Sequence, residues 1–365
     1  MRILTIIQCT NLGGMEQASL RLMQALQRRG HELSVVSLHP LGPIAPQFRA
    51  SGIPAIGLGY DQVPLWRWLV RLRRELRRQA PEALLLTGHS LPVLLAIAGR
   101  CRGRRLLAIH FHHTGVRPRW FWRIYYELAR GRVNTITFPS DFVRQEAVDL
   151  CPALESKAVT VRNPITPVAA ITPSERRAAR ASLGLSADAT IIGNAGWLIP
   201  RKRFDVFLRV AALVLRQRPD ARFLIAGDGP ERTKLEALAI DLDIADAVLW
   251  IGWTDNMREV YASLDLLLFN SDWDAMGLTP IEAAVHGVPI VSSVLHGGLA
   301  EVFSPGVDAV LFDQHDLPAL AAAVLRVLAN PTAATAMAAQ ARDHVLGLSD
   351  PDRLAAWHEQ VLQQS

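Results

Sequence analysis

Two carboxylates and a group of three cations in the second half of the chain have the types and spacing for binding sugar and phosphate groups. Asp274 and Glu282 flank a short glycine-containing loop, with seven residues between them. Arg201, Lys202 and Arg203 lie in an earlier loop, where forked guanidinium groups and a compact ammonium suit a diphosphate. Ionised carboxylates accept hydrogen bonds from hydroxyl groups. The pattern indicates a site for an anionic, hydroxyl-rich ligand, and a solvated basic turn is the alternative for the three cations.

The loop after Asp274 contains a helix-start signal that gives Glu282 a second interpretation. Thr279, Pro280 and Glu282 have the spacing of the N-cap, first and third residues of a helix, which predicts a capping box. In that case Glu282 only returns a hydrogen bond to the Thr279 amide. In the other case, the helix N-terminus attracts an anion, and Asp274 and Glu282 frame a phosphate and sugar site. The residues alone leave both interpretations open.

The elements that position these residues alternate between short apolar strands and helices along the chain. This alternation predicts α/β domains with parallel sheets, whose ligands bind outside the carboxyl ends of the strands. A stretch rich in proline, alanine and threonine near residue 168 predicts a domain boundary. We expect one domain at 1–168, a second at 169–348, and a C-terminal helix at 349–365 that packs back on the first domain.

The strand ends of the first half supply further candidates. Gly13 and Gly14 precede a helix, so they form either a phosphate-binding turn or a simple tight turn. His110 and His112 follow a later strand and project to the same side. With His113 they could hold zinc, but no carboxylate or thiol lies nearby in the sequence. A hydrogen bond to a ligand at the sheet edge is the favoured interpretation.

Composition limits the class of protein. The 365 residues exceed what one core usually supports, and half of them are apolar. Cys9, Cys101 and Cys151 are too few and too scattered for a disulfide framework or a thiolate metal site. We expect a reducing cytoplasmic location, without a signal peptide or a membrane span. Residues 1–168 contain 23 Lys and Arg against 10 Asp and Glu, which predicts an anionic partner for this half.

A basic amphipathic helix predicted at 64–79 favours an anionic membrane surface as that partner. Six arginines surround its apolar residues, and Trp66 and Trp68 lie near its start. Residues 117–123 repeat the mixture of aromatic and cationic groups. Such segments lie on anionic membranes, although a helix packed on a sheet with a solvated basic face has the same pattern. The sequence contains no recognised nucleic-acid-binding module, so we expect no nucleic acid partner.

These blocks, in this order, resemble the retaining GT-B glycosyltransferases of family 4, the glycosyl transferases group 1. The segments that carry the resemblance are GGMEQASLRLMQALQRRGHELSVVSL, VRNPI, GWLIPRKRFDVFL, IAGDGPERTKLEALA, VLWIGW, LLLFNSDWDAMGLTPIEAAVHGVPIVSS and HGGLAEVF. The resemblance implies two Rossmann-like, doubly wound domains facing each other across a cleft. It also implies transfer of a hexosyl unit from a UDP- or GDP-linked sugar to an acceptor hydroxyl, with retention. We expect a lipid-linked glycan acceptor and a peripheral location on the inner face of the membrane.

The resemblance also assigns roles to individual residues. Asp274 and Glu282 match the two family Glu residues, the first for hydroxyls of the transferred sugar and the second for the nucleotide ribose. Lys202 matches the diphosphate lysine, with Arg201 beside it. His110 best matches the histidine that contacts the donor sugar, and His112 is the alternative register. The other expected binding residues are Gly13, Gly14, Met276, Gly277, Leu278 and Gly298, with Trp253 as a candidate for stacking on the base.

Two departures from the family pattern bear on activity. Asp274 is one methylene shorter than the family Glu, and Trp197 replaces the arginine that usually accompanies the lysine. Arg201 or Arg203 would then have to supply that charge. A non-catalytic sugar-nucleotide-binding subunit therefore stays open as an alternative. A sugar nucleotide epimerase or phosphorylase also stays open, because these enzymes share the architecture that the resemblance implies. We expect no cofactor and no metal, because a cationic diphosphate site makes a divalent ion redundant, although Asp272 and Asp274 resemble a D-x-D metal motif.

Overall fold

The chain folds into two compact units. The computed structural model describes residues 1–11, 13–97, 103–109, 117–293, 296–312 and 316–363. Unit 1 comprises Met1–Thr166 and Ser349–Ser365, and unit 2 comprises Pro167–Leu348. The chain therefore leaves unit 1 two residues before the expected boundary at 168, and its C-terminal segment belongs to unit 1.

Strands and helices alternate through both units. The strands are β1 (Arg2–Ile7), β2 (Glu32–Ser37), β3 (Ala55–Gly57), β4 (Ala83–Thr87), β5 (Arg105–Ala108), β6 (Thr135–Phe138), β7 (Ala158–Thr160), β8 (Ile191–Ala195), β9 (Arg222–Ala226), β10 (Val248–Gly252), β11 (Leu266–Phe269), β12 (Trp273–Asp274), β13 (Ile290–Ser293), β14 (His296–Gly297) and β15 (Val310–Phe312). The helices are α1 (Gly14–Arg28), α2 (Ala45–Ala50), α3 (Leu65–Gln79), α4 (Leu91–Ala96), α5 (Arg119–Arg130), α6 (Asp141–Leu150), α7 (Pro173–Ser182), α8 (Phe204–Leu215), α9 (Arg232–Asp241), α10 (Met257–Ser263), α11 (Leu278–Val285), α12 (Leu317–Ala329), α13 (Pro331–Leu348) and α14 (Pro351–Gln363).

Each unit is built on a doubly wound parallel sheet, which confirms the predicted α/β fold class. The strand order is β3-β2-β1-β4-β5-β6-β7 in unit 1 and β10-β9-β8-β11-β13-β15 in unit 2. The winding direction reverses between β1 and β4 in the first sheet and between β8 and β11 in the second. Ligands of such sheets bind beyond the strand carboxyl ends at the reversal, so the loops after β8 and β11 form the expected binding region of unit 2.

The central strands are continuous apolar runs because helices cover both faces of each sheet. Every residue of β8 and β11 is buried. In unit 2, α8 packs on the sheet through Phe207, whose ring meets Phe223 of β9 edge to face at 5.9 Å between centroids. This contact anchors α8 on the sheet and so holds one end of the loop that joins β8 to α8.

The C-terminal helix α14 packs on α1 and contributes Ala355 and Leu362 to the core of unit 1. Two ion pairs border the contact. Arg28 Nη2 lies 2.8 Å from Asp352 Oδ1, and Arg29 Nε lies 2.6 Å from Glu359 Oε2. Both arginines are well exposed, so apolar burial rather than ion pairing stabilises this contact.

Among the residues that the structure describes, no single helix is both long enough and apolar enough to cross a membrane. One bent pair, Leu317–Ala329 with Pro331–Gln363, reaches the length and composition of a span, with a bend of 101° between its parts. The apolar side chains of the first part, including Leu320 and Val324, are buried in the core of unit 2.

Candidate functional site

The candidate site lies at the carboxyl ends of β8 and β11 in unit 2. The loop that follows β8 and the loop that follows β11 are joined through the carbonyl oxygen of Arg201. This oxygen accepts hydrogen bonds from the Asp272 amide (2.9 Å) and from the buried Ser271 hydroxyl (3.2 Å). The basic loop is thereby fixed against the acidic loop, and the residues expected to bind a diphosphate and a sugar come together.

Two cations converge on Asp274. The Lys202 ammonium donates to Asp274 Oδ2 at 2.7 Å, and Arg201 Nη1 lies 3.5 Å from Oδ1. The side chains of Lys202 and Asp274 are each only 14% exposed. Arg201 also donates to the Trp273 carbonyl oxygen, and its guanidinium carbon lies 5.5 Å from the centroid of the Trp273 ring. Asp274 therefore lies against Lys202 and Arg201, two of the three cations that the sequence predicts for a diphosphate.

Arg203 is held away from this pair. Its Nε lies 2.9 Å from Asp205 Oδ1, and its Nη1 lies 3.0 Å from Asp272 Oδ1. The hydrogen bond to Asp205, followed by that to Asp272, raises the pKa of the Arg203 guanidinium. Of the two arginines that could replace the family's missing charge beside Lys202, Arg201 is thus the one in position.

Both carboxylates of the D-x-D-like segment already have a cationic partner. Asp272 binds Arg203, and Asp274 binds Lys202. A divalent ion at this segment would have to displace these cations. In the described ranges as a whole, no three His, Cys, Asp or Glu side chains form a group that could hold a metal.

Helix α11 begins earlier than predicted, and the expected capping box is wrong. Its N-cap is Gly277, whose φ of +72° lies in the left-handed region, and Leu278 is its first helical residue. A Cβ on residue 277 would also lie 2.7 Å from Leu299 Cδ1. Both the backbone angle and the close contact therefore require glycine at this position. The Thr279 hydroxyl donates to the Ala195 carbonyl oxygen (3.1 Å). Thr279 therefore ties α11 to the end of β8 instead of capping the helix.

Glu282 is consequently not used for capping. Its Oε2 accepts a hydrogen bond from the Tyr261 hydroxyl (3.2 Å), and the Tyr261 ring stacks on the His286 ring at 4.9 Å between centroids. His286 Nδ1 lies 2.7 Å from the Glu282 carbonyl oxygen. Burial lowers the pKa of His286, so the ring stays neutral near pH 7. The Tyr261 hydroxyl therefore orients the Glu282 carboxylate, and His286 supports the Tyr261 ring. No motif in the sequence singled out Tyr261.

The backbone expected to meet a diphosphate lies along the turn into α11. The Met276 side chain is buried, so only its backbone can face a ligand. Gly277 and Leu278 form the start of the helix, where the first amides have no intrahelical carbonyl partner. Such amides suit an anion at the edge that also carries Lys202.

Gly298, a predicted binding residue, directly follows β14, the strand that pairs with β12 at Asp274. Gly298 is buried and begins a short 3-10 turn, Gly298–Glu301. The preceding residue, Gly297, pairs with Asp274 between β14 and β12 and has a φ of +136°. A Cβ on Gly297 would lie 1.9 Å from the Asp274 carbonyl oxygen. Glycine at 297 therefore allows the close backbone approach that positions Asp274.

Two exposed tryptophans mark the same edge of the sheet. Trp253 directly follows β10 and is 57% exposed, whereas Trp197 lies in the loop after β8 and is 55% exposed. A Cβ on the neighbouring Gly196 would be 3.9 Å from Lys202 Cε, which places the Trp197 loop next to the lysine. Each indole has open area that a base or a sugar ring could cover.

In unit 1, Gly13 is the N-cap of α1 and Gly14 is its first residue. The buried Glu16 carboxylate turns back towards them, since its Oε2 would lie 2.4 Å from a Cβ on Gly13. Glu16 Oε1 also accepts from the Cys9 thiol (3.1 Å), and burial, with Glu16 adding to it, raises the pKa of Cys9 to about 11. A carboxylate at this helix start disfavours a phosphate there.

The predicted site residues His110 and His112 lie outside the residues that the structure describes, as does His113.

Two family models match the chain, one for each half. The model described as Glycosyltransferase Family 4 matches residues 12–169. The model described as Glycosyl transferases group 1 matches residues 175–344, which include the whole candidate site of unit 2.

Curated relatives match about half of the chain. The chain is 34% identical over 212 residues to a D-inositol 3-phosphate glycosyltransferase of Mycolicibacterium vanbaalenii, covering 53% of this chain and 46% of the relative. It is 34% identical over 222 residues to the protein of the same name from Thermobispora bispora, covering 58% and 50%. The chain thus spans about half the length of these relatives.

Solved structures match the whole chain in fold. Anabaena Alr3699/HepE in complex with UDP-glucose superposes with a TM-score of 0.87 at 17% identity, covering 99% of both chains. WaaG, a glycosyltransferase involved in lipopolysaccharide biosynthesis, superposes with a TM-score of 0.78 at 16% identity, covering all of both chains.

Proposed function

Because the chain belongs to the group 1 glycosyltransferases of the GT-B fold, we propose that it transfers a hexosyl unit from a nucleoside diphosphate sugar to an acceptor hydroxyl with retention of configuration. The observation that carries this proposal is the convergence of Lys202 and Arg201 on Asp274 beside the start of α11. Fixed cations, helix amides and a carboxylate at one sheet edge are what a donor of this kind requires.

The reaction breaks the bond between the anomeric carbon and the diphosphate oxygen, so negative charge develops on the leaving group. Lys202, Arg201 and the amides at 277–278 would stabilise that charge in the transition state. They are held in place by the loop contacts and the helix, which spares the cost of reorganising them during the reaction. We infer that the transfer needs no metal, because these groups supply the positive charge.

Asp274 would change partners when the donor binds. The diphosphate competes for Lys202 and Arg201, and the carboxylate becomes available to accept hydrogen bonds from hydroxyls of the transferred sugar. Glu282, held by Tyr261 at 3.2 Å, would accept from the ribose hydroxyls. Trp253 would stack on the base.

Retention follows if the acceptor attacks from the face that the diphosphate leaves. The acceptor oxygen then bonds to the anomeric carbon while a leaving phosphate oxygen takes the acceptor proton. Of the two carboxylates in the D-x-D-like segment, Asp272 keeps Arg203 as its ion-pair partner, which makes it a weak nucleophile for a covalent intermediate. Asp274, once released from Lys202, is assigned to the hydroxyls of the transferred sugar. These roles support same-face attack over a glycosyl-enzyme route.

The donor and acceptor classes are part of the same proposal. A solved structural neighbour binds UDP and UDP-glucose, which favours a UDP-linked hexose over a GDP-linked one. The curated relatives are named for an inositol phosphate acceptor, whereas we propose a lipid-linked glycan, used at the cytoplasmic face of a membrane. The basic character of the first half of the chain supports an acceptor in an anionic environment.

A non-catalytic sugar-nucleotide-binding subunit is the second candidate. The short reach of Asp274 and the exposed Trp197 in place of the usual arginine favour it. Such a protein would bind a nucleoside diphosphate at Lys202 but would turn over no donor.

The deciding experiment measures nucleotide release from a panel of UDP- and GDP-sugars, with and without EDTA. We expect slow release from one UDP-sugar, unchanged by EDTA and faster with a lipid-linked acceptor mixture. Glu282→Gln should abolish most of it, whereas Asp241→Asn, an exposed carboxylate on α9, should not. Nucleotide binding without release from any donor, with or without acceptor and not restored in Asp274→Glu, would favour the binding subunit. NMR of the product anomeric proton tests retention.

A further inference from the structure

Exposed apolar side chains concentrate on one part of unit 1. Of the eleven large apolar side chains that are exposed in the described part of the chain, six lie on the consecutive helices α3, α4 and α5. They are Leu65, Trp66, Val70, Leu95, Trp120 and Ile124. The two tryptophans are the most exposed of the six, at 63% and 65%. The surfaces of soluble proteins rarely carry large contiguous patches of apolar side chains, and such patches mark interaction sites.

The three helices form a continuous layer. Helix α4 contacts α3 on one side and α5 on the other. The connections from β3 to β4, from β4 to β5 and from β5 to β6 all run in the same direction along the sheet. Because such crossovers are right-handed, their helices α3, α4 and α5 lie on the same face of the sheet. Trp68 and Leu72 of α3 and Trp122 and Tyr125 of α5 are buried on the inner side of this layer. The exposed residues therefore share its outer side, which we call the α3–α5 face.

The structure also sorts the tryptophans that the sequence grouped together. Trp68 and Trp122 are fully buried, and Trp68 donates its indole N–H to the Leu38 carbonyl oxygen at 3.2 Å. They are core residues, which corrects the expectation that Trp68 lies at a membrane interface. Trp66 and Trp120 remain on the α3–α5 face as the tryptophans available to a partner.

Positive charge surrounds these apolar groups. Helices α3 and α5 contain nine arginines and two glutamates, and eight of the arginines are exposed. The glutamates pair locally, Glu75 with Arg78 at 2.8 Å and Glu127 with Arg130 at 3.0 Å. Arg67 lies over the Trp66 ring at 5.0 Å. The remaining arginines present a strongly cationic rim to whatever covers the apolar groups.

We propose that the α3–α5 face docks on the surface of an anionic lipid bilayer. Tryptophan, leucine, isoleucine and valine side chains enter the boundary between headgroups and acyl chains, while arginines of the rim bind lipid phosphates. Charge complementarity selects this occupant over a second copy of the chain, because two such faces would repel each other. A nucleic acid backbone binds through its charged phosphates and offers no apolar surface for the aliphatic side chains of Val70, Leu95 and Ile124. These side chains therefore favour a lipid partner over a nucleic acid.

Docking through this face goes beyond the transfer reaction, and its test needs no substrate. The assay is co-sedimentation of the full chain with vesicles of phosphatidylcholine alone or mixed with phosphatidylglycerol. We expect binding to the anionic vesicles only, weakening several-fold as salt rises from about 0.1 M to about 0.5 M. Trp66→Ala with Trp120→Ala should reduce the partition coefficient at least about tenfold. Arg67→Gln with Arg74→Gln should reduce it about 25-fold, about fivefold for each charge.

The matched control variants are Ile240→Ala and Arg216→Glu, which change exposed residues of unit 2 and should leave partitioning unchanged. Far-UV circular dichroism of each variant checks that it is folded. Equal binding to neutral and anionic vesicles, or equal losses in the control variants, would overturn the proposal. A concentration-dependent dimer in light scattering that the tryptophan variant abolishes would overturn it in favour of self-association.

Discussion

Replacing Asp274 with asparagine should tighten the binding of a nucleoside diphosphate and lower the stability of the protein without a ligand. The substitution keeps the shape of the side chain but removes the charge that faces Lys202 at 2.7 Å. Lys202 is then a cation, 14% exposed, without its closest anionic partner. A diphosphate supplies the missing negative charge and no longer has to displace a carboxylate. Binding and stability should therefore move in opposite directions.

The magnitude follows from the geometry. At 2.7 Å and an effective dielectric constant of about 20, the gross attraction between unit charges is about 6 kcal/mol, most of which offsets the cost of desolvating both groups. We expect a net stability loss of ~2 kcal/mol, which corresponds to a decrease of about 4–8 °C in the melting temperature of a unit of this size. A similar gain on the bound side lowers the Kd for UDP about 10–30-fold.

The measurements are differential scanning fluorimetry and isothermal titration calorimetry with UDP and GDP. Asp272→Asn is the matched control, because Arg203 keeps its bond to Asp205 (2.9 Å) and the Asp272 side chain is 47% exposed. That variant should shift the melting temperature and the Kd little. A folded Asp274→Asn protein whose Kd for UDP is unchanged or higher would refute the idea that this carboxylate competes with the diphosphate.

Three further predictions concern the support of the site and the stability of each unit. Glu282→Gln should weaken UDP binding about 10–100-fold, because a charged hydrogen-bond acceptor is lost. Tyr261→Phe should weaken UDP binding only a few-fold, because it removes just the 3.2 Å hydrogen bond that orients Glu282. Isothermal titration calorimetry measures both effects. Arg180→Met should cost unit 2 about 3–5 kcal/mol in urea unfolding, because Arg180 is 5% exposed and binds both oxygens of Asp265 at 2.8 Å. His358 is buried, and burial lowers its pKa to about 4 from 6.5. The unfolded chain therefore takes up the proton at a higher pH than the folded chain does. The free energy of unfolding should fall by up to about 3 kcal/mol as the pH drops from 6.5 towards 4.

Each of these has a control within the chain. Equal losses in the Glu282 and Tyr261 variants would mean that the hydroxyl does more than orient the carboxylate. Arg176→Met removes a neighbouring, more exposed partner of Asp265 and should cost less than Arg180→Met. The titration assigned to His358 requires that His358→Gln flatten the acid limb of the stability curve, and a limb of unchanged slope would assign it to other groups.

The sequence was sufficient for the fold class and the family because both depend on local patterns. Short apolar runs that are bounded by turn residues and alternate with helical patterns indicate the strands of a parallel sheet. The loops that precede α8 and α11 carry their charges in contiguous segments, so the sequence alone identifies Lys202 and Asp274 as site residues. Winding order then places both loops at one edge, since strand reversal in a doubly wound sheet creates the site.

The tertiary structure decided which partner each of these residues has. Thr279 had the spacing of a helix cap, but a left-handed Gly277 starts α11 first and the Thr279 hydroxyl bonds to β8. By their places in the sequence, Arg201 and Arg203 are equally good candidates for the charge beside Lys202. The structure distinguishes them, because Arg203 pairs with Asp205 and Asp272 whereas Arg201 faces Asp274. Spacing reports neighbours along the chain, whereas hydrogen bonds and ion pairs depend on distances across it, which packing of the sheet and helices sets.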